Sequence, residues 1–168
     1  MDPSAATNPQ GTIVQVIVLI ILLLLSAFFS SAETCLTTVN KIKMRSLAEE
    51  GNKRAKTVIK ITENPSKLLS AILIGNNIVN LSASALTTTI VYSLELGGSG
   101  VAIATGIITL FILIFGEILP KSYAKENSES LALSIGTIYY YMIMVMKPII
   151  KIFMVLKSAV IPRLTGMM

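Results

Sequence analysis

Long uninterrupted runs of apolar residues dominate this chain and are separated by short polar or charged segments. The first run covers about residues 12–33 and consists mostly of Ile, Val and Leu. Two more occupy about 67–92 and 101–120. A helix needs about 20 residues to cross the roughly 30 Å of bilayer hydrocarbon. We therefore predict an all-α membrane protein whose three transmembrane helices belong to a single domain over residues 1–168.

The segment between the first two spans is strongly charged. Eight basic and three acidic residues fall between positions 35 and 67. Apolar residues recur among them at loosely helical spacing, namely Ile42, Leu47, Val58 and Ile61. We predict two short amphipathic helices on the cytoplasmic membrane face, within about 40–63 and separated near Gly51. A charged loop that only sets the topology is the alternative.

The last part of the chain is less regular. Residues 131–146 are apolar but few for a span, and they include three consecutive tyrosines, Tyr139–Tyr141. Lys147–Pro148 is expected to interrupt this run. Tyrosine favours the headgroup level of a membrane, and a fourth span would carry the basic residues that follow to the outside. We predict a juxtamembrane segment over about 128–160, interfacial or re-entrant.

The charge distribution predicts an orientation. The chain has 14 Lys and Arg against 9 Asp and Glu, a net charge of +5. No basic residue occurs in residues 1–40 or 68–120. With the N-terminus outside, three crossings and the C-terminus inside, all basic residues lie on the cytoplasmic side. The positive-inside rule thus explains the charge without a nucleic-acid partner, and we expect a multi-pass protein of the cell membrane that contacts lipid.

Composition excludes several classes of chemistry. The chain is 53% hydrophobic with a mean hydropathy of +0.75, which is too apolar for an ordinary soluble domain. It has no histidine, so histidine-based zinc, haem and catalytic-triad chemistry is excluded. Its single cysteine, Cys35, cannot form an intramolecular disulfide. We predict neither an enzyme nor a protein that takes a small organic substrate.

Polar residues interrupt the first two spans at helical spacing. Ser26, Ser30 and Glu33 lie on one face of the first helix. In the second, Asn76 and Asn80 share a face and Asn77 lies to one side. The simpler interpretations are serine bonds to the preceding turn, interhelical asparagine bonds, and a Glu33 that is solvated or capped by the basic loop.

The third span ends in an unusual stretch, Phe115–Lys121, which holds a carboxylate and a proline. A carboxylate in a span is costly and usually faces the protein interior. Pro120 has no N–H to give to the Gly116 carbonyl, which must find another partner in lipid. A carboxylate beside a freed carbonyl suits a hard cation. The alternative is a proline-kinked helix end in which Glu117 reaches the headgroups or pairs with Lys121.

Together the three spans offer hydroxyl, amide, carbonyl and carboxylate oxygens at loosely matching depths. There is no imidazole or thiolate among these groups. Such a set suits Mg²⁺, Ca²⁺ or Na⁺ rather than Zn²⁺ or copper. Few formal charges also suit a transport site, from which the ion must leave again.

Four stretches in order carry a family resemblance. They are LSAFFSSAET (25–34), AEEGNKRAK (48–56), IGNNIVN (74–80) and FGEILPK (115–121). Their order and intervals resemble the transmembrane domain of the CNNM/CorC magnesium transporters, over nearly the whole chain. The resemblance implies a homodimer with three spans and a juxtamembrane helix. It also implies Mg²⁺ efflux coupled to Na⁺ influx.

The resemblance also implies which residues hold the ion. Carried over by motif, the ligands are Ser26, Ser30, Asn76, Asn80, Gly116 and Glu117. We expect Pro120 to be a structural hinge, and Glu33 and Asn77 to support the ligands. Family members continue into a cytoplasmic CBS-domain pair that binds ATP; residues 1–168 do not include that module, so nucleotide regulation is not expected of this chain.

Two functions from different classes remain open at this point. The first is an ion transporter in which Mg²⁺ binds between the spans and leaves by alternating access. The second is a membrane anchor and dimerisation module for a cytoplasmic regulatory domain, in which every polar residue only joins helices. The direction of transport, the coupling ion, and the choice between channel and carrier are not determined by the sequence.

Overall fold

The computed structural model describes residues 9–95 and 97–165, with side chains for 11–95, 97–152 and 155. Every regular element in the described part is helical, as predicted. A π-helical turn at Ile114–Ile118 joins the fifth and sixth helices. In chain order the helices are α1 (Pro9–Thr38), α2 (Lys41–Glu49), α3 (Lys53–Thr62), α4 (Pro65–Tyr92), α5 (Gly97–Leu113), α6 (Leu119–Glu126) and α7 (Ser128–Thr165).

Four helical stretches are long and apolar enough to cross a membrane. By length and composition they are Gly11–Thr38, Pro65–Tyr92, Gly97–Glu126 and Ser128–Ile152. The first three contain or nearly contain the predicted spans, and the helices extend beyond them at one or both ends. The fourth lies in the predicted juxtamembrane segment, so the structure adds a fourth stretch of spanning length.

Lys147–Pro148 interrupts the apolar run but not the helix, since α7 runs through both residues as one helix of 38 residues. Proline removes one backbone hydrogen bond from a helix. In α7 this loss does not end the helix.

The first half of α7 lies along α2 and α3. Lys43 of α2 forms an ion pair with Glu129. About two helix turns further on, a Cβ at Gly136 would lie 2.8 Å from a methyl group of Val58. Tyr140 then accepts a hydrogen bond from Lys60 Nζ at 3.1 Å. The charged helices and α7 are therefore packed against each other over at least three helix turns.

The two predicted amphipathic helices are present as α2 and α3. Asn40 and Asn52 cap them, since each side-chain oxygen accepts bonds from two backbone N–H groups of the first turn. Gly51, between the helices, has φ +95°, a conformation that favours glycine. A third asparagine, Asn64, caps α4 ahead of Pro65, and its side-chain oxygen accepts one bond, from the backbone N–H of Lys67.

The four apolar positions of α2 and α3 differ in burial. Val58 and Ile61 of α3 are buried. In α2, Ile42 is 82% exposed and Leu47 is half-buried. Met44 and Ala48, one turn apart, fill the inner face of α2 instead.

The core lies at one end of the bundle, where the second half of α1 meets α3, the start of α4 and α7. Its members are buried apolar side chains that include Phe29, Leu36, Val58, Leu68, Ile72 and Tyr139. The first half of α1 is exposed, with values up to 65% at Leu24. All residues of α5 are described and none is buried. Exposed apolar surface on this scale is expected of a protein surrounded by lipid.

Helices α1 and α4 approach each other closely at Gly75. A Cβ there would lie 2.2 Å from Cε1 of Phe29. The Phe29 ring is itself held between Phe28 and Tyr139, at centroid distances of 5.8 and 6.3 Å. Because the ring cannot move away easily, α1 and α4 can pack in this register only with glycine at position 75.

We predict that Gly75→Ala destabilises the protein by roughly 1–3 kcal/mol, the usual cost of overpacking a tight contact. The thermal unfolding midpoint in detergent measures the effect. Gly106→Ala is the matched control, since nothing lies within 4 Å of a Cβ at Gly106 and alanine favours the helix. Equal midpoints for the two variants would contradict the proposed contact.

Candidate cation site

Three helices meet at the hydroxyl group of Ser26. Its side chain is buried, and Oγ lies 2.8 Å from Oδ1 of Asn80 on α4 and 3.3 Å from the carbonyl oxygen of Gly116. A hydroxyl has one proton, so Ser26 donates to one of these oxygens at a time. The simpler expectation, a bond to the preceding turn of its own helix, does not describe Ser26. Three oxygens from three chain segments therefore converge at this point.

Gly116 reaches Ser26 because the helix widens at the π-helical turn. Pro120 cannot donate to the Gly116 carbonyl, and the Leu119 N–H bonds to the Ile114 carbonyl five residues earlier. The helix therefore continues through Pro120 and contains a π-helical turn. Gly116 is buried, and a Cβ on it would lie 3.1 Å from both Ser26 Oγ and a methyl group of Leu23. The missing side chain lets the carbonyl approach α1.

Ser30 and Asn76 lie one helix turn from this junction. Ser26 meets Asn80 and Phe29 meets Gly75, so α1 and α4 run antiparallel. Ser30, four residues after Ser26, and Asn76, four before Asn80, therefore lie at one level. Oγ of Ser30 and Oδ1 of Asn76 are buried and have no hydrogen-bond partner in the described structure. Buried oxygens without partners are rare in native proteins, and a bound ion or water is one explanation for them.

Two other buried hydroxyl groups also lack a partner among the described residues, Thr87 Oγ1 and Tyr139 OH. Thr87 lies about two turns beyond Asn80 on α4. Tyr139 is packed on Phe28 and Phe29. Neither lies one helix turn from Ser26 or Asn80 on the same helix, as Ser30 and Asn76 do, so Ser30 and Asn76 are the pair that extends the junction.

The carboxylates lie beside this junction and share one ammonium group. Lys121 Nζ is 3.0 Å from Glu117 Oε1 and 3.1 Å from Glu33 Oε2. The three side chains are 35–39% exposed. The structure contains the Glu117–Lys121 pair, which the sequence allows as the alternative to a cation bound at Glu117. The contact between Lys121 and Glu33 is not signalled by the sequence, because only the packing of α1 on α6 brings them together.

The remaining predicted residues are placed differently. Asn77 is exposed and outside the group of converging oxygens. Pro120 lies in the first turn of α6, and its carbonyl is 3.5 Å from Ser31 Oγ, a long hydrogen bond. Sequence reasoning missed both Ser31 and Leu23, which are ordinary residues next to the polar positions and carry no signal of their own.

The chemistry of the site follows from its neutral oxygens. Within the described residues, no cluster of three or more His, Cys, Asp or Glu side chains could hold a metal ion. Hydroxyl, amide and carbonyl oxygens without a dense set of carboxylates suit a hard cation that is bound and then released. Glu33, Glu117 and Lys121 together add one net negative charge at the edge.

Comparison with known proteins gives a family match and several relatives. The model of the cyclin M transmembrane N-terminal domain (CNNM) matches residues 17–167. A UPF0053 protein of Haemophilus influenzae is 50% identical over 107 residues, 64% of this chain and 25% of that protein. The UPF0053 inner membrane protein YfjD of Escherichia coli is 47% identical with the same coverage of each chain. The chain thus spans about a quarter of the length of these two relatives.

A third relative has a functional name. The polyamine export protein of H. influenzae is 31% identical over 140 residues, which cover 76% of this chain and 32% of that protein. The match includes more of this chain than the two more similar relatives do.

We predict that Ser26 and Asn80 are energetically coupled. Ser26→Ala and Asn80→Ala each destabilise the protein, and the double variant loses less than the sum because both remove the same bond. A coupling of about 0.6–2 kcal/mol is expected for a hydrogen bond between membrane helices. Thermal unfolding of the four proteins in detergent measures it. Strict additivity would show that the two side chains do not interact.

Proposed function

This chain belongs to the cyclin M (CNNM) transmembrane-domain family, and on that premise we propose that it forms the membrane domain of a Mg²⁺ transporter. The ion binds between α1, α4 and the π-helical turn and leaves the cell by alternating access. We further propose Na⁺ influx as the coupled movement. The observation that carries the proposal is the convergence of Ser26, Asn80 and Gly116 beside two buried oxygens without partners.

The donor set supports Mg²⁺ as the transported ion. Mg²⁺ takes oxygen ligands in near-octahedral geometry and gives up its waters reluctantly. We assign Ser26, Ser30, Asn76, Asn80 and the Gly116 carbonyl as ligands that replace some of those waters. In the absence of the ion, the Ser26 hydroxyl bonds to Asn80 and Gly116. If Ser26 Oγ and Asn80 Oδ1 both coordinate the ion, the hydroxyl proton has to turn away from it, and the bond between these two oxygens is lost.

Glu117 and Lys121 are assigned to the passage of the ion in and out of the site. The Glu117 carboxylate follows Gly116 directly in sequence, but in this structure the ammonium group of Lys121 neutralises it. An incoming Mg²⁺ has to displace that ammonium group before Glu117 can serve as a ligand. The same ammonium group can return to Glu117 as the ion leaves, which lowers the affinity of the site at release. Pro120 and the π-helical turn form the hinge.

The arrangement of α7 supports three spans rather than four. From Glu129 to Tyr140 this helix stays beside α2 and α3, whose surfaces carry most of the lysines of their segment. A helix crossing the hydrocarbon would leave those charged helices after the first turns. We therefore place α7 at the cytoplasmic membrane surface, with the N-terminus of the chain outside, in a homodimer in the cell membrane. This orientation keeps the basic residues on one side.

A second candidate substrate is a polyamine. One relative is named a polyamine export protein, and in this chain an alkylammonium group, that of Lys121, already fits between Glu33 and Glu117. A polyamine would use these carboxylates and would have little need of Ser30 and Asn76. Flux from liposomes loaded with either Mg²⁺ or spermidine distinguishes the two substrates. Export of spermidine but not Mg²⁺ would overturn the main proposal.

A membrane anchor without an ion site is the remaining alternative. A ligand that binds only the folded state raises its unfolding temperature. The Mg²⁺ transporter is therefore stabilised by Mg²⁺ in detergent, whereas an anchor has the same unfolding temperature with and without the ion.

We predict that Ser30→Ala and Asn76→Ala each weaken apparent Mg²⁺ affinity by at least about 10-fold, the lower end of what loss of an outer-shell partner costs a metal site. The Mg²⁺-dependent rise in unfolding temperature and efflux from proteoliposomes measure this. Thr87→Val is the matched control, because Thr87 is also a buried hydroxyl without a partner but lies away from the junction. A Thr87→Val protein as impaired as the other two would refute the assignment.

We predict that Lys121→Gln raises apparent Mg²⁺ affinity by about two- to tenfold, since each half-exposed ion pair contributes ~0.2–1 kcal/mol that Mg²⁺ no longer has to overcome. Efflux slows because release is no longer assisted. Isothermal titration and flux assays give the two quantities. Lys125→Gln, an exposed lysine of the same helix, should change neither. Weaker Mg²⁺ binding in Lys121→Gln would show that the lysine supports the site instead of competing with the ion.

A further inference from the structure

A second cavity lies apart from the cation site, where α3, the start of α4 and α7 meet. It has a volume of about 350 Å³. Its polar lining includes one lysine from each of the three helices, Lys60, Lys67 and Lys147. The core residue Leu68 separates it from Asn76, two helix turns further along α4.

The cavity is positively charged without internal compensation. No carboxylate lies within ion-pair distance of Lys60, Lys67 or Lys147 among the side chains that the structure describes. Lys60 instead donates a hydrogen bond to Tyr140 OH and lies 5.0 Å from the centre of its ring. These contacts position the ammonium group but leave its charge available. Glu63, the carboxylate nearest in sequence to Lys60, lines a different cavity with Lys41 and Arg45.

The first turn of α4 adds to this charge. Asn64 caps the helix and lines the cavity together with Lys67, the third residue of the helix. The N-terminus of a helix carries about half a positive charge and presents backbone N–H groups. Here it is combined with three side-chain ammonium groups that come from separate elements. An anion with several oxygens, such as a phosphate group, has the matching chemistry.

The other half of the cavity is apolar. Ile61, Leu68, Ile143 and Met144 line it. Met144 is 43% exposed, and the neighbouring Val145 and Tyr141 on α7 are 78% and 63% exposed. The charged end of the cavity thus continues into an apolar surface that the protein leaves uncovered. A free phosphate would gain nothing from this surface, whereas a lipid would cover it with acyl chain.

We propose that this cavity binds the phosphate headgroup of an anionic membrane lipid, such as phosphatidylglycerol, with an acyl chain against the exposed side of α7. Basic pockets between membrane helices at the membrane surface are suited to such headgroups. The bound lipid would join α3, α4 and α7, and so fix the charged helices against the start of the span that carries Asn76. The inference does not depend on which substrate the protein transports.

The experiment measures which lipid the purified protein retains. The full protein is reconstituted in mixed phosphatidylcholine and phosphatidylglycerol vesicles, extracted in mild detergent, and its bound lipid is quantified by mass spectrometry. The test variant is K60Q/K67Q/K147Q. The matched control is K53Q/R54Q/K56Q. It also removes three positive charges, but from exposed positions of α3 outside the cavity. Circular dichroism confirms that all proteins remain helical.

We expect phosphatidylglycerol to be enriched on the wild-type protein and the control variant, and the enrichment to fall by roughly tenfold or more in the test variant. Three lysines near an anionic headgroup account for at least this factor. No enrichment on the wild type, or equal loss in both triple variants, would overturn the proposal. The first result would show that the protein has no preference for phosphatidylglycerol. The second would show that the preference comes from the overall charge of the protein surface and not from the cavity.

A second measurement separates a lipid from a free phosphate. In lipid-free detergent, short-chain phosphatidylglycerol is expected to raise the unfolding temperature of the wild type but not of K60Q/K67Q/K147Q. Inorganic phosphate at the same concentration is expected to have no effect. If inorganic phosphate stabilises the protein as strongly, the cavity is a site for a soluble anion and the lipid assignment is wrong.

Discussion

The requirement that polar groups inside a bilayer find partners within the protein determines how this bundle packs. Water is absent from the hydrocarbon, so the Ser26 hydroxyl, the Asn80 amide and the Gly116 carbonyl can satisfy one another only if three helices approach at one point. They do so within 3.3 Å of Ser26 Oγ. The glycine at 116 and the π-helical turn let the third helix come close enough. The same packing leaves the oxygens of Ser30 and Asn76 buried without partners among the described residues, one helix turn from the junction.

The charged side chains lie around the neutral oxygens that converge at Ser26, and none of them lies among those oxygens. One lysine, Lys121, holds Glu33 and Glu117 together at the edge of the bundle. A centre made of neutral oxygens binds a divalent ion less tightly than a cluster of carboxylates would, which suits transport because the ion has to leave. Lys60, Lys67 and Lys147 form a separate group that lines the cavity between α3, α4 and α7. The proposed cation site and the proposed lipid site therefore use different residues.

The sequence predicts those parts of the structure that local pattern determines. The spans follow from apolar run length, α2 and α3 from the charged segment around Gly51, and the junction members from polar residues at helical spacing. Packing between segments decides the rest. Met44 and Ala48, rather than Ile42, fill the inner face of α2, and α7 continues as a helix through Pro148. The ion pair between Lys121 and Glu33 joins segments more than 80 residues apart. The π-helical turn is a local rearrangement of the backbone. Neither feature leaves a pattern in the sequence.

The central claim is that the transported cation binds where Ser26, Asn80 and Gly116 converge, and locating an ion in the protein tests it most directly. Mn²⁺ can replace Mg²⁺ at oxygen sites, and its anomalous scattering locates it in crystals of the protein grown with the ion. The account predicts a Mn²⁺ peak about 2.0–2.2 Å from the Gly116 carbonyl oxygen and from oxygens of Ser26 or its neighbours. A peak confined to Glu33 and Glu117, with the Ser26 hydroxyl still bonded to Asn80, would contradict it.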